Sequence, residues 1–203
     1  MVSLIIGLVL SYLCGAIPAA YLFAKFVKGV DIREQGSGNV GATNALRVLG
    51  KLPGFLVLTF DILKGVFAVL VISRIFAEST GLEFECVQAI FGGGAVCGHV
   101  FNVFLKMKSG KGVATSAGVL LALSPLSVSI GFLFFLAVVG ITRIVSLGSI
   151  IASIVIPFCM LFLKVHYSFI VLSGFLCIII VAKHKSNIYR LLTGRERKVF
   201  EKK

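Results

Sequence analysis

The chain has 203 residues, of which 58% are hydrophobic and only 14% are charged, and its mean hydropathy is +1.07. A soluble domain is nearer half apolar and a quarter charged, so this composition excludes a water-soluble enzyme, and it excludes intrinsic disorder as well. The net charge is +12, from 20 Lys and Arg against 8 Asp and Glu. Because the basic residues cluster between long apolar runs, we interpret them as topology signals and anionic-lipid contacts, and we expect no nucleic-acid partner.

Six apolar runs predict the membrane-spanning helices. In chain order they are 3–24, 53–76, 86–105, 113–142, 147–163 and 167–182. A span takes about 20 residues, and at about 1.5 Å per residue a helix over 113–142 would measure about 45 Å. Ser124-Pro125 lies in the middle of this run and predicts a break. The run therefore forms either one tilted helix or two short helices folded back as a hairpin.

The loop charges decide between these alternatives, because cytoplasmic loops carry the excess of Lys and Arg. Basic residues outnumber acidic ones by 5 to 2 in loop 25–51, by 3 to none in 105–111 and by 8 to 2 in the tail 183–203, whereas 77–85 holds three Glu and no basic residue. Two helices in 113–142 give seven crossings with the N-terminus outside, and all three basic clusters then face the cytoplasm. We therefore predict an all-α integral membrane protein with seven transmembrane helices, the fourth and fifth short, as a single domain over 1–203.

The first cytoplasmic loop carries a glycine-rich motif, which reads Gly36-Ser37-Gly38-Asn39 and then Gly41-Ala42-Thr43-Asn44. Glycines let backbone N–H groups converge on an oxyanion, and a short helix over 42–49 would add the partial positive charge of its N-terminus. The Ser, Asn and Thr side chains are further donors, and Arg47 follows one turn after Thr43. The motif predicts a phosphate cradle; the alternative is a flexible turn with a helix N-cap at Ser37 or Asn39.

A second motif precedes the predicted fourth helix and reads Ser109-Gly110-Lys111-Gly112-Val113-Ala114-Thr115. Lys111 supplies a point charge suited to phosphate, and the flanking glycines allow close backbone approach. The alternative is a lysine that only obeys the positive-inside rule, with Gly112 in a turn.

A third motif begins where the predicted seventh helix leaves the membrane and runs from Lys183 to Arg190. His184 and Asn187 are three residues apart and would share a face if the helix continued. A histidine there would orient a hydroxyl or exchange a proton, and an asparagine would hold a polyol hydroxyl. Taken alone, however, the motif favours the alternative of a basic tail that contacts anionic lipid.

Ionisable and polar residues also interrupt the apolar runs: Asp61, Lys64, His99, Asn102, Arg143, Ser146 and Ser149. Intramembrane charges indicate function or structural pairing. Asp61 and Lys64 lie at i and i+3, and we expect them to neutralise each other in a structural role. The five cysteines form no close pairs, which argues against a disulfide framework or a zinc site.

The predicted topology places all three motifs on the cytoplasmic side, which indicates an enzyme that joins a soluble phosphate compound to a lipid chain. At these motifs the chain resembles the bacterial acyl-phosphate:glycerol-3-phosphate acyltransferases, the PlsY family. Asp61, Lys64-Gly65, Gly98-His99, Gly194 and Glu196 also fall where that family has similar residues. The chain departs from the family pattern at Asn102, Ser109 and Lys185-Ser186.

The resemblance implies a seven-helix enzyme of the bacterial inner membrane, with its active site facing the cytoplasm and no cofactor or metal. It would transfer a fatty acyl group from acyl-phosphate to the 1-hydroxyl of sn-glycerol 3-phosphate, giving lysophosphatidate and phosphate. This is the first acylation in phospholipid synthesis, and acyl-CoA and acyl-carrier protein would not serve directly.

The resemblance also assigns roles to individual residues. The catalytic residues would be Ser37, Lys111, His184 and Asn187. The substrate-binding residues would be Gly36, Gly38, Asn39, Thr43, Asn44, Arg47, Gly110, Gly112, Thr115, Ser149 and Arg190. The oligomeric state stays open.

The residues also bear on three other functions. A transporter for an anionic solute would use the glycine-rich loops as gates, although seven helices do not divide into equal halves. An intramembrane serine protease would use Ser37 with His184 or His99, but Ser37 lies in a predicted loop. A CDP-alcohol transferase needs several Asp for metal and is excluded, because Asp31 and Asp61 are the two aspartates of the chain.

Overall fold

The computed structural model describes residues 1–199, and within that range the protein contains eleven α-helices and no strand. The last four residues of the predicted basic tail, 200–203, lie outside the described residues. The chain divides into two compact units, one from Met1 to Leu123 and one that begins at Ser124. We call them the first and second unit and describe each by itself.

The first unit holds seven of the described α-helices. A π-helical turn at Ala68–Ile72 joins the fourth to the fifth. The seven helices are α1 (Val2–Ala16), α2 (Ala19–Lys28), α3 (Ala42–Leu49), α4 (Lys51–Phe67), α5 (Ser73–Phe76), α6 (Phe84–Val100) and α7 (Val113–Leu123).

The second unit, as far as residue 199, holds the other four. They are α8 (Pro125–Thr142), α9 (Val145–Phe162), α10 (Tyr167–Lys183) and α11 (Lys185–Leu192).

Most of the predicted spans are present as long apolar helical segments, so this is a multi-pass membrane protein. Five described segments are long and apolar enough to cross a membrane, and α10 with α11 makes a sixth if that bent pair is one span; α7 is a shorter apolar helix. The five are Val2–Lys28, Lys51–Ser79, Phe84–Leu105, Pro125–Thr142 and Val145–Phe162. The predicted break at Ser124-Pro125 is confirmed, since α7 ends at Leu123 and α8 begins at Pro125.

Glycines bring α1 and α6 into backbone contact. A Cβ at Gly7 would overlap the ring of Phe91, and a Cβ at Gly98 would overlap the carbonyl oxygen of Tyr12. Small residues allow such close packing where lipid supplies no hydrophobic driving force between helices. Gly7 contacts Phe91, and Tyr12, which comes later in α1, contacts Gly98, which comes later in α6. The residue numbers of the contacting pairs rise together, so α1 and α6 run parallel.

The first span bends between α1 and α2, at Ile17-Pro18. Ile17 has ψ of 114°, so the carbonyls of Ala16 and Ile17 lose their helical partners. Asn102 Nδ2 donates to Ala16 O at 2.6 Å, and Ile17 O accepts from Lys64 Nζ at 3.2 Å and from Ala19 N at 3.1 Å. Because an unpaired carbonyl in a membrane interior costs several kcal/mol, these contacts stabilise the bend.

In the second unit, α8 and α9 pack as an antiparallel pair. A Cβ at Gly131 would overlap Ile156, and a Cβ at Gly148 would approach Val139 Cγ2 to 2.7 Å. The earlier residue of α8 contacts the later residue of α9, and the later residue of α8 contacts the earlier residue of α9, so the two helices run in opposite directions.

Candidate active site

The first glycine-rich loop is anchored at both ends by buried apolar side chains. Ile32 is fully buried and Val40 is 2% exposed, in the same cluster as Ala24 of α2 and Val57 of α4. The short helix predicted over 42–49 is confirmed as α3. Its N-cap is Gly41, so the alternative of an N-cap at Ser37 or Asn39 is wrong.

An ion pair shapes the start of this loop. Asp31 caps a 3₁₀ turn, Ile32–Glu34, by accepting from Arg33 N at 2.9 Å, and its carboxylate also accepts from the Arg33 guanidinium. The hydrogen bonds from the Arg33 side chain and backbone lower the pKa of Asp31 to about 2. Asp31 therefore stays ionised at neutral pH and holds the entry to the loop.

Asn44 organises the loop from inside. Its side chain is 1% exposed; Oδ1 accepts from Ser37 N at 2.8 Å, and Nδ2 donates to Ile32 O at 3.3 Å and Gln35 O at 3.0 Å. The side chain that the resemblance assigned to substrate binding thus holds three backbone groups of the loop in place. Nothing in the residue pattern distinguished this role from direct binding.

The loop glycines meet two separate demands. Gly36 and Gly38 have φ of +64° and +72°, in the left-handed region where a side chain is strained. In addition, a Cβ at Gly36 would overlap Asn44 Oδ1, and a Cβ at Gly38 would lie 2.9 Å from Arg33 O. Ser37, Thr43 and Arg47 are exposed, and Asn39 is half-buried.

The second motif lies against the end of α6. A Cβ at Gly112, where φ is +84°, would lie 2.8 Å from Val100 Cγ2. A Cβ at Gly110 would overlap His99 Nε2 and lie 2.8 Å from Val40 O. Gly110 is therefore packed between α6 and the first loop, and the structure brings the first two predicted motifs into contact.

The polar side chains of the second motif differ in exposure. Lys111 is half-buried. Thr115 is fully buried in the first turn of α7, and its Oγ1 has no hydrogen-bond partner among the described residues.

The predicted pairing of Asp61 with Lys64 is confirmed, and it includes a third residue. Lys64 Nζ lies 2.8 Å from Asp61 Oδ1 and 2.8 Å from His99 Nδ1, and all three side chains are at most 8% exposed. The i,i+3 spacing indicated the pair, but no local signal linked it to His99, which lies 35 residues further along the chain.

The third motif does not continue the preceding helix. α10 ends at Lys183 and α11 begins at Lys185, with a bend of 59° between them, so the condition of one continuing helix is not met. His184 and Asn187 are nevertheless both buried, at 2% and 6% exposure. His184 Nδ1 lies 2.7 Å from Ile180 O, which orients the ring.

Glu196 ties the tail to the third motif. Its Oε1 accepts from Asn187 Nδ2 at 2.6 Å and from Ser146 Oγ at 2.9 Å, and its Oε2 accepts from Arg190 Nε at 2.7 Å. Burial alone would raise the pKa of Glu196, but the hydrogen bonds from Asn187, Arg190 and Ser146 outweigh it and lower that pKa. No motif in the sequence indicated a role for Glu196.

Ser149 is the remaining predicted residue of the second unit, and it lies in the first turns of α9. Ser149 is 5% exposed and donates to Val145 O at 2.9 Å. Beside the bend, an open cleft of about 550 Å³ is lined by Lys183, Lys185, Arg190 and three neighbours. Among the described residues, no three His, Cys, Asp or Glu side chains are grouped to hold a metal ion.

Known proteins are similar to this chain over almost its whole length. The profile of the glycerol-3-phosphate acyltransferase family matches residues 5–194. A glycerol-3-phosphate acyltransferase of Desulforamulus reducens is 42% identical over 202 residues, covering 100% of this chain and 96% of that one. One from Clostridioides difficile is 42% identical over 201 residues, covering 99% and 98%.

Two solved structures are similar over almost the whole chain. Both are of PlsY, an integral membrane glycerol 3-phosphate acyltransferase, and both are 38% identical and cover 97% of this chain. The glycerol 3-phosphate form has a TM-score of 0.88 with 96% of that chain covered, and the lysophosphatidic acid form has 0.86 with 95%. With the profile match, the full-length relatives and the motifs in place, the chain belongs to the glycerol-3-phosphate acyltransferase family.

Proposed function

We propose that the protein transfers a fatty acyl group from acyl-phosphate to the 1-hydroxyl of sn-glycerol 3-phosphate, giving lysophosphatidate and phosphate. The observation that carries this proposal is its likeness to PlsY in a glycerol 3-phosphate form and a lysophosphatidic acid form. Those two compounds differ by one acyl group on a hydroxyl, so acyl transfer relates them as substrate and product.

The two loops in contact support acyl-phosphate as the donor. Glycerol 3-phosphate carries one phosphate, whereas two glycine-rich loops suited to phosphate meet where Gly110 packs against Val40. In acyl-phosphate, the second phosphate is bonded directly to the reacting carbonyl. The phosphates of acyl-CoA instead lie a pantetheine arm away from its thioester, which suits two adjoining phosphate sites less well.

In the proposed reaction, the first loop holds the donor. Ser37, Gly38, Asn39 and Thr43 bind the acyl-phosphate and stabilise the leaving phosphate, with Gly36 and Asn44 shaping the loop around it. Arg47 and Lys111 neutralise the two phosphate groups, and Gly110, Gly112 and Thr115 complete the second motif.

The third motif holds the acceptor in this proposal. His184 and Asn187 position glycerol 3-phosphate, and Ser149 adds a hydroxyl. Arg190 contributes positive charge and fixes Glu196, whose carboxylate in turn orients the Asn187 amide.

The chemistry needs positioning more than a strong base. The 1-hydroxyl oxygen bonds to the acyl carbon, the bond from that carbon to the phosphate oxygen breaks, and phosphate leaves with the electron pair. We assign the hydroxyl proton to an oxygen of the departing phosphate. A mixed anhydride has a good leaving group, so alignment and charge stabilisation supply the acceleration.

We place the enzyme in the bacterial cytoplasmic membrane as a single domain with seven spans, its N-terminus outside and its three motifs at the cytoplasmic face. The parallel run of α1 and α6 supports this topology, because one intervening span returns the chain to the same direction. Membrane lipids surround the protein and accept its product.

The donor test uses purified protein in a lipidic medium with glycerol 3-phosphate and either acyl-phosphate, acyl-CoA or no donor, while lysophosphatidate and phosphate are measured. We expect product from acyl-phosphate alone. Product from acyl-CoA alone would keep the acyltransferase and overturn the donor. No product from folded protein with either donor would favour transport of an anionic solute.

The role of His184 has its own test. A His184→Ala variant is expected to lose most turnover, because the group that orients the acceptor hydroxyl is removed. Near-wild-type turnover of the folded variant would remove His184 from the chemistry.

A further inference from the structure

A buried set of charged and polar side chains, Asp61, Lys64 and His99, has no part in the proposed reaction. A lysine ammonium has three N–H donors. Lys64 Nζ has three acceptors within reach: Asp61 Oδ1 at 2.8 Å, His99 Nδ1 at 2.8 Å and Ile17 O at 3.2 Å. The contacts with His99 and Ile17 are hydrogen bonds, and the contact with Asp61 is an ion pair whose carboxylate balances the lysine charge inside the membrane protein.

This pairing determines how His99 is used. His99 Nδ1 faces the Lys64 ammonium at 2.8 Å and lies 3.5 Å from Asp61 Oδ1. Nε2 is the atom that a Cβ at Gly110 would overlap. One edge of the ring therefore contacts Lys64, and the opposite edge lies under the second glycine-rich motif.

The ring is held from several helices at once. Asp61 and Lys64 belong to α4 and His99 to α6, while Ile17 lies at the bend between α1 and α2. On its other side, Gly110 separates the ring from Val40 of the first loop, since a Cβ at Gly110 would also lie 2.8 Å from Val40 O. The sequence of contacts runs from Lys64 through His99 and Gly110 to Val40.

We propose that His99, held by Lys64 and Asp61, is a positioning residue that sets the spacing between the two phosphate-binding loops. The imidazole acts as a rigid spacer beneath Gly110, and it touches neither substrate. This inference rests on the proposed function, in which the two loops hold the two phosphates whose alignment the reaction needs. A displacement of about 1 Å can cost about 100-fold in rate, so the spacer matters for catalysis.

Two substitutions of His99 separate spacing from folding. In His99→Asn, the side-chain oxygen takes the place of Nδ1 and still accepts from Lys64, but nothing lies beneath Gly110. In His99→Gln, the longer side chain reaches the place of Nε2 and restores the spacer, while Lys64 loses its acceptor. His166→Asn, the same change at a histidine that caps α10, is the matched control.

The kinetic constants and unfolding temperatures of these variants are measured on the full chain in lipidic medium. We expect His99→Asn to unfold near the wild-type temperature but to lose about 10- to 100-fold in kcat/KM, mainly through a higher KM for glycerol 3-phosphate. His99→Gln should recover part of that loss while unfolding at a lower temperature, and His166→Asn should behave as wild type. A higher KM for glycerol 3-phosphate in His99→Gln than in His99→Asn would overturn the proposal.

A double-mutant cycle tests the contact itself. Gly110→Ala is introduced alone and together with His99→Asn, and the affinity for sn-glycerol 3-phosphate is measured in all four proteins. In the wild-type background the added methyl collides with the imidazole and approaches Val40 O, whereas beside Asn only the contact with Val40 O remains, so the methyl should do less damage in the double variant. Equal effects of Gly110→Ala in both backgrounds would contradict the proposal.

Two measurements distinguish a wrong donor from a wrong role for His99. Turnover of acyl-phosphate by the wild-type protein tests the proposed donor by itself. The glycerol 3-phosphate affinities in the cycle need no donor, so they report on His99 whatever the donor proves to be.

Discussion

Asn187 donates its side-chain amide to Glu196 at 2.6 Å, and the same carboxylate accepts from Ser146 and Arg190. The chain beyond α11 is thereby folded back onto the third motif, and Val199 N extends the attachment by donating to Arg143 O at 2.7 Å. The acceptor side of the proposed site thus depends on a residue nine positions after the amide that it orients.

Replacing Glu196 by Gln should loosen this attachment. The amide group of Gln presents a donor to Arg190 or to Asn187, both of which donate already. We expect a loss of about 1 to 3 kcal/mol in the free energy of unfolding and a higher KM for glycerol 3-phosphate. Thermal unfolding and kinetics measure the two effects, with Glu78→Gln, at an exposed position, as the control. An unchanged KM would show that Asn187 needs no support from the carboxylate.

The same contact predicts a pH dependence. The pKa of Glu196 is lowered below its ordinary value of 4.5, so the ionised form is favoured by folding. The stabilisation is therefore complete above about pH 4.5 and is lost as the pH falls through the lowered pKa. Hydrogen exchange of the amides in 193–199 should show this loss in the wild type relative to Glu196→Gln, in which the protection should not change over that range. If the protection of these amides changed with pH in the same way in both proteins, the loss could not be assigned to the Glu196 carboxylate.

Gly36→Ala and Gly29→Ala form a matched pair. Both glycines have left-handed φ, +64° and +68°, but a Cβ at Gly36 would overlap Asn44 Oδ1 whereas a Cβ at Gly29 would meet nothing within 4 Å. Each change should cost about 1 to 2 kcal/mol of backbone strain. Gly36→Ala should in addition displace Asn44 and reduce kcat/KM with acyl-phosphate. Equal kinetics for both variants would show that the loop tolerates displacement of Asn44.

Asn44→Asp should damage the loop without changing its size. The carboxylate still accepts from Ser37 N, but Ile32 O and Gln35 O lose their donor and face a negative charge instead. We expect a loss of about 1 to 3 kcal/mol in the free energy of unfolding for each unpaired group, and a loss of about tenfold or more in kcat/KM because the loop that holds the donor is displaced. Gln88→Leu, which removes an amide from α6 away from the loop, should retain activity.

The topology has a direct test with single cysteines. After the five native cysteines are replaced, Ser79→Cys and Lys198→Cys place one thiol in the acidic segment 77–85 and one in the basic tail. An impermeant maleimide should label position 79 in intact cells, and position 198 only after the membrane is opened. Labelling of position 198 in intact cells would contradict this topology, because it would mean that the tail lies outside or that the number of crossings is different.

The sequence by itself determined the features that depend on neighbouring residues. Apolar runs predicted the spans because lipid demands about 20 consecutive apolar residues, and Pro125 predicted the break because its ring cannot continue a helix. The glycine-rich motifs and the Asp61–Lys64 pair were visible for the same reason, since each lies within a few residues of chain. Local spacing did not show the bend at His184, where a helical pattern continued across a break.

Only the tertiary structure decided which of these pieces meet. His99 joins Lys64, Gly110 packs against Val40, and Glu196 orients Asn187, and each contact joins different helices or loops. Such contacts follow from close packing around glycines and from the need to pair buried donors and acceptors. Both conditions depend on how all the helices pack together. A residue pattern along the chain carries the donors and acceptors, but their partners are selected only when the helices pack.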